Sequence, residues 1–163
     1  MQVIYHNRSR LSTQLEGGAR YVSFDELLAQ SDVFSLNLCL NPKTKHIISA
    51  REFAKMKDGV VIVNSARGAL VNEKDLVAAI DSGKVSAAGL DVFENEPQIE
   101  PGLLESDKVF IVPHLGTSTF ETQREMELLN LRNLESATDG QGLLTPIPEQ
   151  QRNGDGGKKG LSL

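Results

Sequence analysis

Three ionisable side chains in this sequence, Arg67, Glu96 and His114, each stand just past a short apolar run. Arg67 follows the run 60–63, Glu96 follows 87–92, and His114 follows 109–112, with Pro113 fixing its approach. The runs are short and rich in β-branched residues, as buried parallel strands are, so each ionisable residue sits where a strand ends. In open α/β sheets ligands bind in the crevice beyond the carboxyl ends of the strands. Arg67 and Glu96 are 29 residues apart, and Glu96 and His114 are 18 apart. Each interval is long enough for one crossover, so parallel strands would bring all three to one side. A guanidinium, a carboxylate and an imidazole gathered there suit a substrate with a carboxylate beside a carbonyl. Arg67 would grip the carboxylate bidentately and polarise the carbonyl, which a lysine does less well. His114 would deliver a proton as hydride reaches carbon, and Glu96, hydrogen-bonded to the imidazole, would favour its charged form and fix its orientation. Taken singly, each has a plainer reading as a solvated arginine, a loop acid or a capped strand end. Their joint placement favours catalysis.

The elements that must position these groups read as strands alternating with helices. Residues 3–5 begin a strand, closed by the polar cluster His6-Asn7-Arg8-Ser9-Arg10. Ser23-Phe24-Asp25-Glu26 and Ser49-Ala50-Arg51-Glu52 match the capping box, in which a serine hydroxyl and a glutamate three residues on satisfy each other's backbone amides. They predict helices to about Gln30 and Met56. Residues 33–38 form a second strand, followed by the loop 41–44. Asn72 and Asp75 open a helix with Leu76, Val77 and Ile80 at helical spacing, which Gly83 ends as a left-handed cap. A last helix runs from about Thr119 to Ser136, with Met126, Leu129, Asn130, Asn133 and Leu134 along one stripe. This alternation argues an α/β fold with a parallel, doubly wound sheet. The tail from 150 to 163 is glycine-rich with nothing to bury, and predicts disorder.

Composition narrows the classes. The chain has 163 residues and a net charge of −5, with a pI near 5.2; it lacks the basic footprint of a nucleic-acid binder and any charge run suited to an anionic membrane. Its apolar stretches fall short of a bilayer span and its first 20 residues are too polar for a signal peptide, so a soluble, cytoplasmic protein is expected. The single cysteine, Cys39, has no metal-ligand partner at useful spacing and no internal disulfide partner; in the context Asn37-Leu38-Cys39-Leu40 it reads as a small core residue near a strand end. No metal site is expected.

Asn64-Ser65-Ala66-Arg67-Gly68, Gly89-Leu90-Asp91-Val92-Phe93-Glu94-Asn95-Glu96-Pro97 and Pro113-His114-Leu115-Gly116-Thr117 resemble, in order and spacing, three signatures of the D-isomer-specific 2-hydroxyacid dehydrogenases. The resemblance covers roughly residues 1–149, and the wording is most similar to fungal glyoxylate or hydroxypyruvate reductases. It implies that Arg67, Glu96 and His114 are the catalytic arginine, glutamate and histidine. It implies too that Asp91 contacts the nicotinamide carboxamide, and that Ser65, Ala66 and the loop from Leu38 through Cys39 and Leu40 to Thr44 line the cofactor, with Gly116 beside them. A small 2-oxoacid would be the substrate, and a homodimer is compatible with the family. For the cofactor, Asn7-Arg8-Ser9-Arg10 ends the first strand with two arginines and no acid. An acid there would bind the ribose diol of NAD, whereas Asn7, Arg8 and Arg10 favour the 2′-phosphate of NADP(H), leaving NAD(H) as the alternative.

The sequence departs from the family by having no Gly-x-Gly-x-x-Gly. The chain begins at what would be the second strand of the nucleotide-binding domain, so an incomplete Rossmann-like sheet is expected, lacking its first strand and glycine-rich loop. The second strand would then pair directly with the fourth, or another chain would fill the gap, or the fragment would be poorly stable alone. Residues 1–139 form the truncated dinucleotide-binding domain, 140–149 read as a return segment toward a missing substrate domain, and 150–163 as the tail. Two functional readings stay open: reduction of a 2-oxoacid, or a non-catalytic dinucleotide-sensing or scaffolding module. An inactive gene fragment is a third.

Overall fold

The computed structural model describes residues 1–147. The tail 150–163 and residues 148 and 149 of the return segment lie outside the described residues. Two compact units divide the chain, one spanning Met1–Gly116 and the other starting at Thr117.

In the first unit the elements alternate: β1 (Ile4–Tyr5), α1 (Thr13–Glu16), β2 (Arg20–Tyr21), α2 (Phe24–Gln30), β3 (Val33–Leu36), α3 (Ala50–Lys55), β4 (Val60–Asn64), α4 (Glu73–Asp81), β5 (Val85–Leu90), α5 (Pro101–Glu105) and β6 (Val109–Ile111). All strand pairs are parallel, and β3-β4-β5-β6 form a four-stranded sheet in chain order. The alternation thus gives the parallel α/β sheet expected of it. β1 does not pair with β3, so of the three outcomes left open, direct pairing is not the one seen. β1 pairs with β2 instead, and the two make a separate two-stranded sheet. The sequence reading passed over β2 because its two residues, one of them charged, carry no periodic signal.

The local sequence explains the helix starts. Ser23 caps α2 by accepting the Glu26 N–H, while the Glu26 carboxylate accepts the Ser23 N–H at 2.9 Å. At α3 the Glu52 carboxylate accepts the Ser49 hydroxyl at 2.6 Å and its N–H at 3.2 Å. Asn72 caps α4 by accepting the Asp75 N–H at 3.2 Å, and Gly83, at φ 78°, ends it in the left-handed conformation that glycine adopts without penalty. The helices touch in succession, α2 on α3, α3 on α4 and α4 on α5, and α4 packs on β5. Between them lies one core containing Leu28, Phe34, Ile62, Leu76, Ile80, Val85 and Leu103. β4 buries Val60, Ile62 and Asn64 on one face and half-buries Val61 and Val63 on the other, as a central parallel strand does.

The second unit is α6 (Phe120–Thr138), capped by Thr119 and burying no side chain. Asn133 holds the return segment to it, accepting the Leu144 and Thr145 N–H groups at 2.9 and 3.1 Å and donating to Thr145 Oγ1 at 3.0 Å. No helix among the described residues is long and apolar enough to cross a membrane.

Candidate active site

Register, not sequence proximity, assembles the site. Leu36 of β3 pairs with Asn64 of β4, Asn64 with Leu90 of β5, and Leu90 with Ile111 of β6. The four carboxyl ends are therefore level, and the chain leaves them as the loop 37–48, the turn 65–67, the loop 91–100 and the segment 112–116.

Asn64, 1% exposed, shapes the first of these turns. Its side-chain oxygen accepts the Ala66 N–H at 3.1 Å and its amide donates to the Arg67 carbonyl at 2.9 Å, a local turn of the kind asparagine favours. Arg67 is exposed, and one guanidinium nitrogen donates to the Ala66 carbonyl at 2.6 Å. Gly68 follows because nothing larger fits: a Cβ there would lie 1.9 Å from the Phe93 carbonyl carbon and 2.4 Å from the Glu94 nitrogen.

The next two segments are tied to each other. Asp91, buried at the end of β5, accepts the Leu115 N–H at 2.5 Å and the Gly116 N–H at 2.8 Å, one on each carboxylate oxygen. This brings His114 over the loop 91–100, where its Nδ1 lies 3.0 Å from Glu96 Oε2. The other Glu96 oxygen accepts the Phe93 N–H at 2.9 Å. The His114 hydrogen bond first, then the Phe93 amide and the His114 and Arg67 charges, hold the Glu96 carboxyl below the usual carboxylate range. Arg67 stands on the turn after β4, whose end is level with those of the strands that lead to the other two. His114 has φ 53°; it and His46 are the only non-glycine residues with positive φ among the described residues. Backbone strain of this sort concentrates at functional sites.

The residues expected to line a cofactor fall into two groups. Ser65, Ala66, Leu38, Cys39, Leu40, Thr44, Asp91 and Gly116 all lie at the carboxyl ends of the larger sheet. Thr44 closes its loop by donating to the Cys39 carbonyl at 2.8 Å and accepting the Asn41 N–H at 2.8 Å. The expectation that Cys39 is a core residue is corrected: β3 stops at Leu36, two residues earlier than the apolar run suggested, and Cys39 is exposed on the loop. Asn7, Arg8 and Arg10 lie beyond β1, in the loop that leads from it to α1. Arg10 is engaged there, its Nε 2.7 Å and its Nη2 3.2 Å from the two Glu16 oxygens; Tyr5 also donates to Glu16, at 2.8 Å. The Arg8 guanidinium is exposed and makes no ion pair among the described residues.

Sequence reasoning missed four participants: Asn64, Glu16, the His46–Glu94 pair and Glu73. His46 Nε2 lies 2.7 Å from Glu94 Oε1, linking the loop after β3 to the loop after β5. Glu73 is buried and accepts the Glu94 N–H at 2.6 Å. Burial pushes its carboxyl above the usual range, against the pull of the Glu94 and Glu100 backbone amides. The partners of these residues are 6 to 48 positions distant or, for Asn64, set by a turn; only the strand-end asparagine carried a local signal. Among the described residues no cluster could hold a metal ion.

Comparison with known proteins gives this geometry a family. Residues 1–116 match the family described as D-isomer specific 2-hydroxyacid dehydrogenase, NAD binding domain. Over 151 residues the chain is 64% identical to 4-methyl-2-oxopentanoate reductase A of Aspergillus oryzae, covering 93% of this chain and 46% of that protein. The crystal structure of a glyoxylate reductase from Paecilomyes thermophila superposes with a TM-score of 0.90 at 66% identity, over 92% of this chain and 46% of that one. The NADPH-dependent glyoxylate/hydroxypyruvate reductase of Sinorhizobium meliloti, solved with NADP and malonate, gives 0.85 at 28% identity, over 91% and 46%. The chain spans about half the length of these relatives. By its sequence and its fold, it belongs to the D-isomer specific 2-hydroxyacid dehydrogenases, matching their NAD binding domain over residues 1–116.

Proposed function

We propose that this chain carries the proton-donating and cofactor-facing residues of an NADP(H)-preferring reductase that converts a small 2-oxoacid, of the glyoxylate or hydroxypyruvate type, to the D-2-hydroxyacid. The observation that carries the reading is the Glu96–His114 pair at 3.0 Å, beyond strand ends level with the one that precedes Arg67. The names of the relatives support the substrate class, since each is a reductase of a 2-oxoacid or of glyoxylate.

The donor set fits the nicotinamide end of the cofactor. The Ser65 hydroxyl and the loop 38–44 stand exposed at the strand ends, and Asp91 retains lone pairs beyond those given to Leu115 and Gly116. Ser65, Ala66, Asp91, Gly116 and the loop with Leu38, Cys39, Leu40 and Thr44 would hold that end, while Arg8 with Asn7 would meet a 2′-phosphate. When bound, the reduced nicotinamide supplies the hydride. Arg67 binds the substrate carboxylate through paired N–H donors. Glu96 occupies His114 Nδ1, so the proton for the substrate oxygen is held on Nε2, the only ring nitrogen left. The Glu96 carboxylate also keeps the ring from turning.

The test is a chimera in which this chain replaces the matching half of the Aspergillus relative. It is expected to oxidise NADPH with glyoxylate or a related 2-oxoacid, and Arg67→Ala or His114→Ala should lower turnover by about 10²-fold or more. Undiminished turnover in either variant refutes the assignment. A non-catalytic sensing module would instead bind NADPH with no turnover in the parent chimera.

A further inference from the structure

Glu73 lies in the first turn of α4, outside the group of residues that faces substrate or cofactor, and it is buried. A buried carboxylate is costly unless hydrogen-bonded. Its Oε1 accepts the Glu94 N–H at 2.6 Å, and the Glu100 backbone amide also acts on it. The same Phe93–Glu94 peptide lies against Gly68, so close that any Cβ would overlap its carbonyl carbon, oxygen and nitrogen. The peptide is thus held by two contacts, one with Gly68, next to Arg67, and one with the Glu73 carboxylate. From the residue at its start, Phe93, an N–H donates back to Glu96 Oε1 at 2.9 Å, and Glu96 Oε2 faces His114. At its other end the Glu94 side chain is held by His46.

We infer that Glu73 is a positioning residue: by fixing the Phe93–Glu94 peptide, it sets the orientation in which Glu96 meets the His114 imidazole. The inference rests on the reading of Glu96 and His114 as the proton-donating pair. The geometry requires an acid at this point in preference to an apolar residue, because only an acceptor can satisfy the amide that turns inward above Gly68. A glutamate reaches it from the helix, and the N-terminal position of that helix favours its charge.

The test reads the titration of the Glu96 side-chain carboxyl by carbon-13 NMR in the free chain. Wild type should titrate below the usual carboxylate range. Removing the bracing in Glu73→Ala should raise the midpoint toward that of His114→Ala, which lacks the imidazole outright. Glu73→Gln keeps an oxygen for the Glu94 amide and should stay near wild type. Asn72→Ala weakens the start of the same helix without touching the loop, and should leave Glu96 unmoved although it costs stability. Where Glu73→Ala does not fold, Glu73→Asp withdraws the carboxylate by one methylene and should give the same rise. A wild-type midpoint in whichever of these two folds overturns the inference, as does an equal shift in Asn72→Ala, which would reduce Glu73 to a stabiliser of α4. Turnover is not part of this readout. A raised midpoint beside a catalytically silent chimera refutes the reductase reading alone, and an unmoved midpoint beside an active chimera refutes the bracing alone.

Discussion

Glu96 divides its two carboxylate oxygens between one backbone amide and one imidazole: Oε1 accepts the Phe93 N–H at 2.9 Å and Oε2 lies 3.0 Å from His114 Nδ1. The amide fixes the carboxylate and the carboxylate fixes the ring. In the chimera, Glu96→Gln should therefore lower kcat less than His114→Ala, whose loss of the general acid is expected to cost about 10²- to 10⁴-fold. Steady-state kinetics of the two variants check the ranking.

The pH dependence of stability should carry the signature of Glu73. Its carboxyl titrates above the usual range in the folded chain, so between its unfolded and folded midpoints the native state holds the extra proton. Stability supplied by this group is full below the unfolded midpoint and is lost as pH rises through the folded one. Subtracting the Glu73→Gln stability curve from that of wild type, by urea denaturation at a series of pH values, should leave a downward step over that window. A flat difference contradicts the burial argument.

Gly68→Ala should be far more damaging than an ordinary glycine-to-alanine change. The added Cβ meets backbone atoms of Phe93 and Glu94 within 2.4 Å, and backbone yields less than a side chain. Overpacking of this kind costs about 1–3 kcal/mol or more. Gly89, where a Cβ would meet nothing within 4 Å, supplies the control. Denaturant midpoints for the two variants measure the difference.

For the adenosine end, Arg8→Ala should weaken binding of 2′,5′-ADP more than Arg10→Ala does, because the Arg10 guanidinium is already engaged by Glu16. Neither change should alter the affinity for 5′-AMP, which lacks the 2′-phosphate. Isothermal calorimetry with the two nucleotides tests the ranking, and equal losses would show that Arg10 leaves Glu16 to meet the ligand.

Much of this was legible before any coordinates. Both serine caps, the asparagine cap, the glycine stop at Gly83 and the strands that carry Arg67, Glu96 and His114 follow from local rules of period and hydrogen bonding, because each involves residues within four positions of one another. The long-range pieces were not legible. β2 has two residues and no alternation to reveal it, and Cys39 was misread because an apolar run does not mark where a strand leaves its sheet. Glu73 belongs to no local pattern that would mark its role. Its burial depends on Glu94, 21 residues on, arriving above Gly68.

The division of strands into a pair and a quartet has an implication for substitutions on the proposed reading. Arg8 and Arg10 follow β1 of the pair, whereas Arg67, Glu96 and His114 follow β4, β5 and β6 of the quartet. A change at Arg8 or Arg10 is expected to alter dinucleotide preference while the register that levels the quartet's carboxyl ends stays as it is.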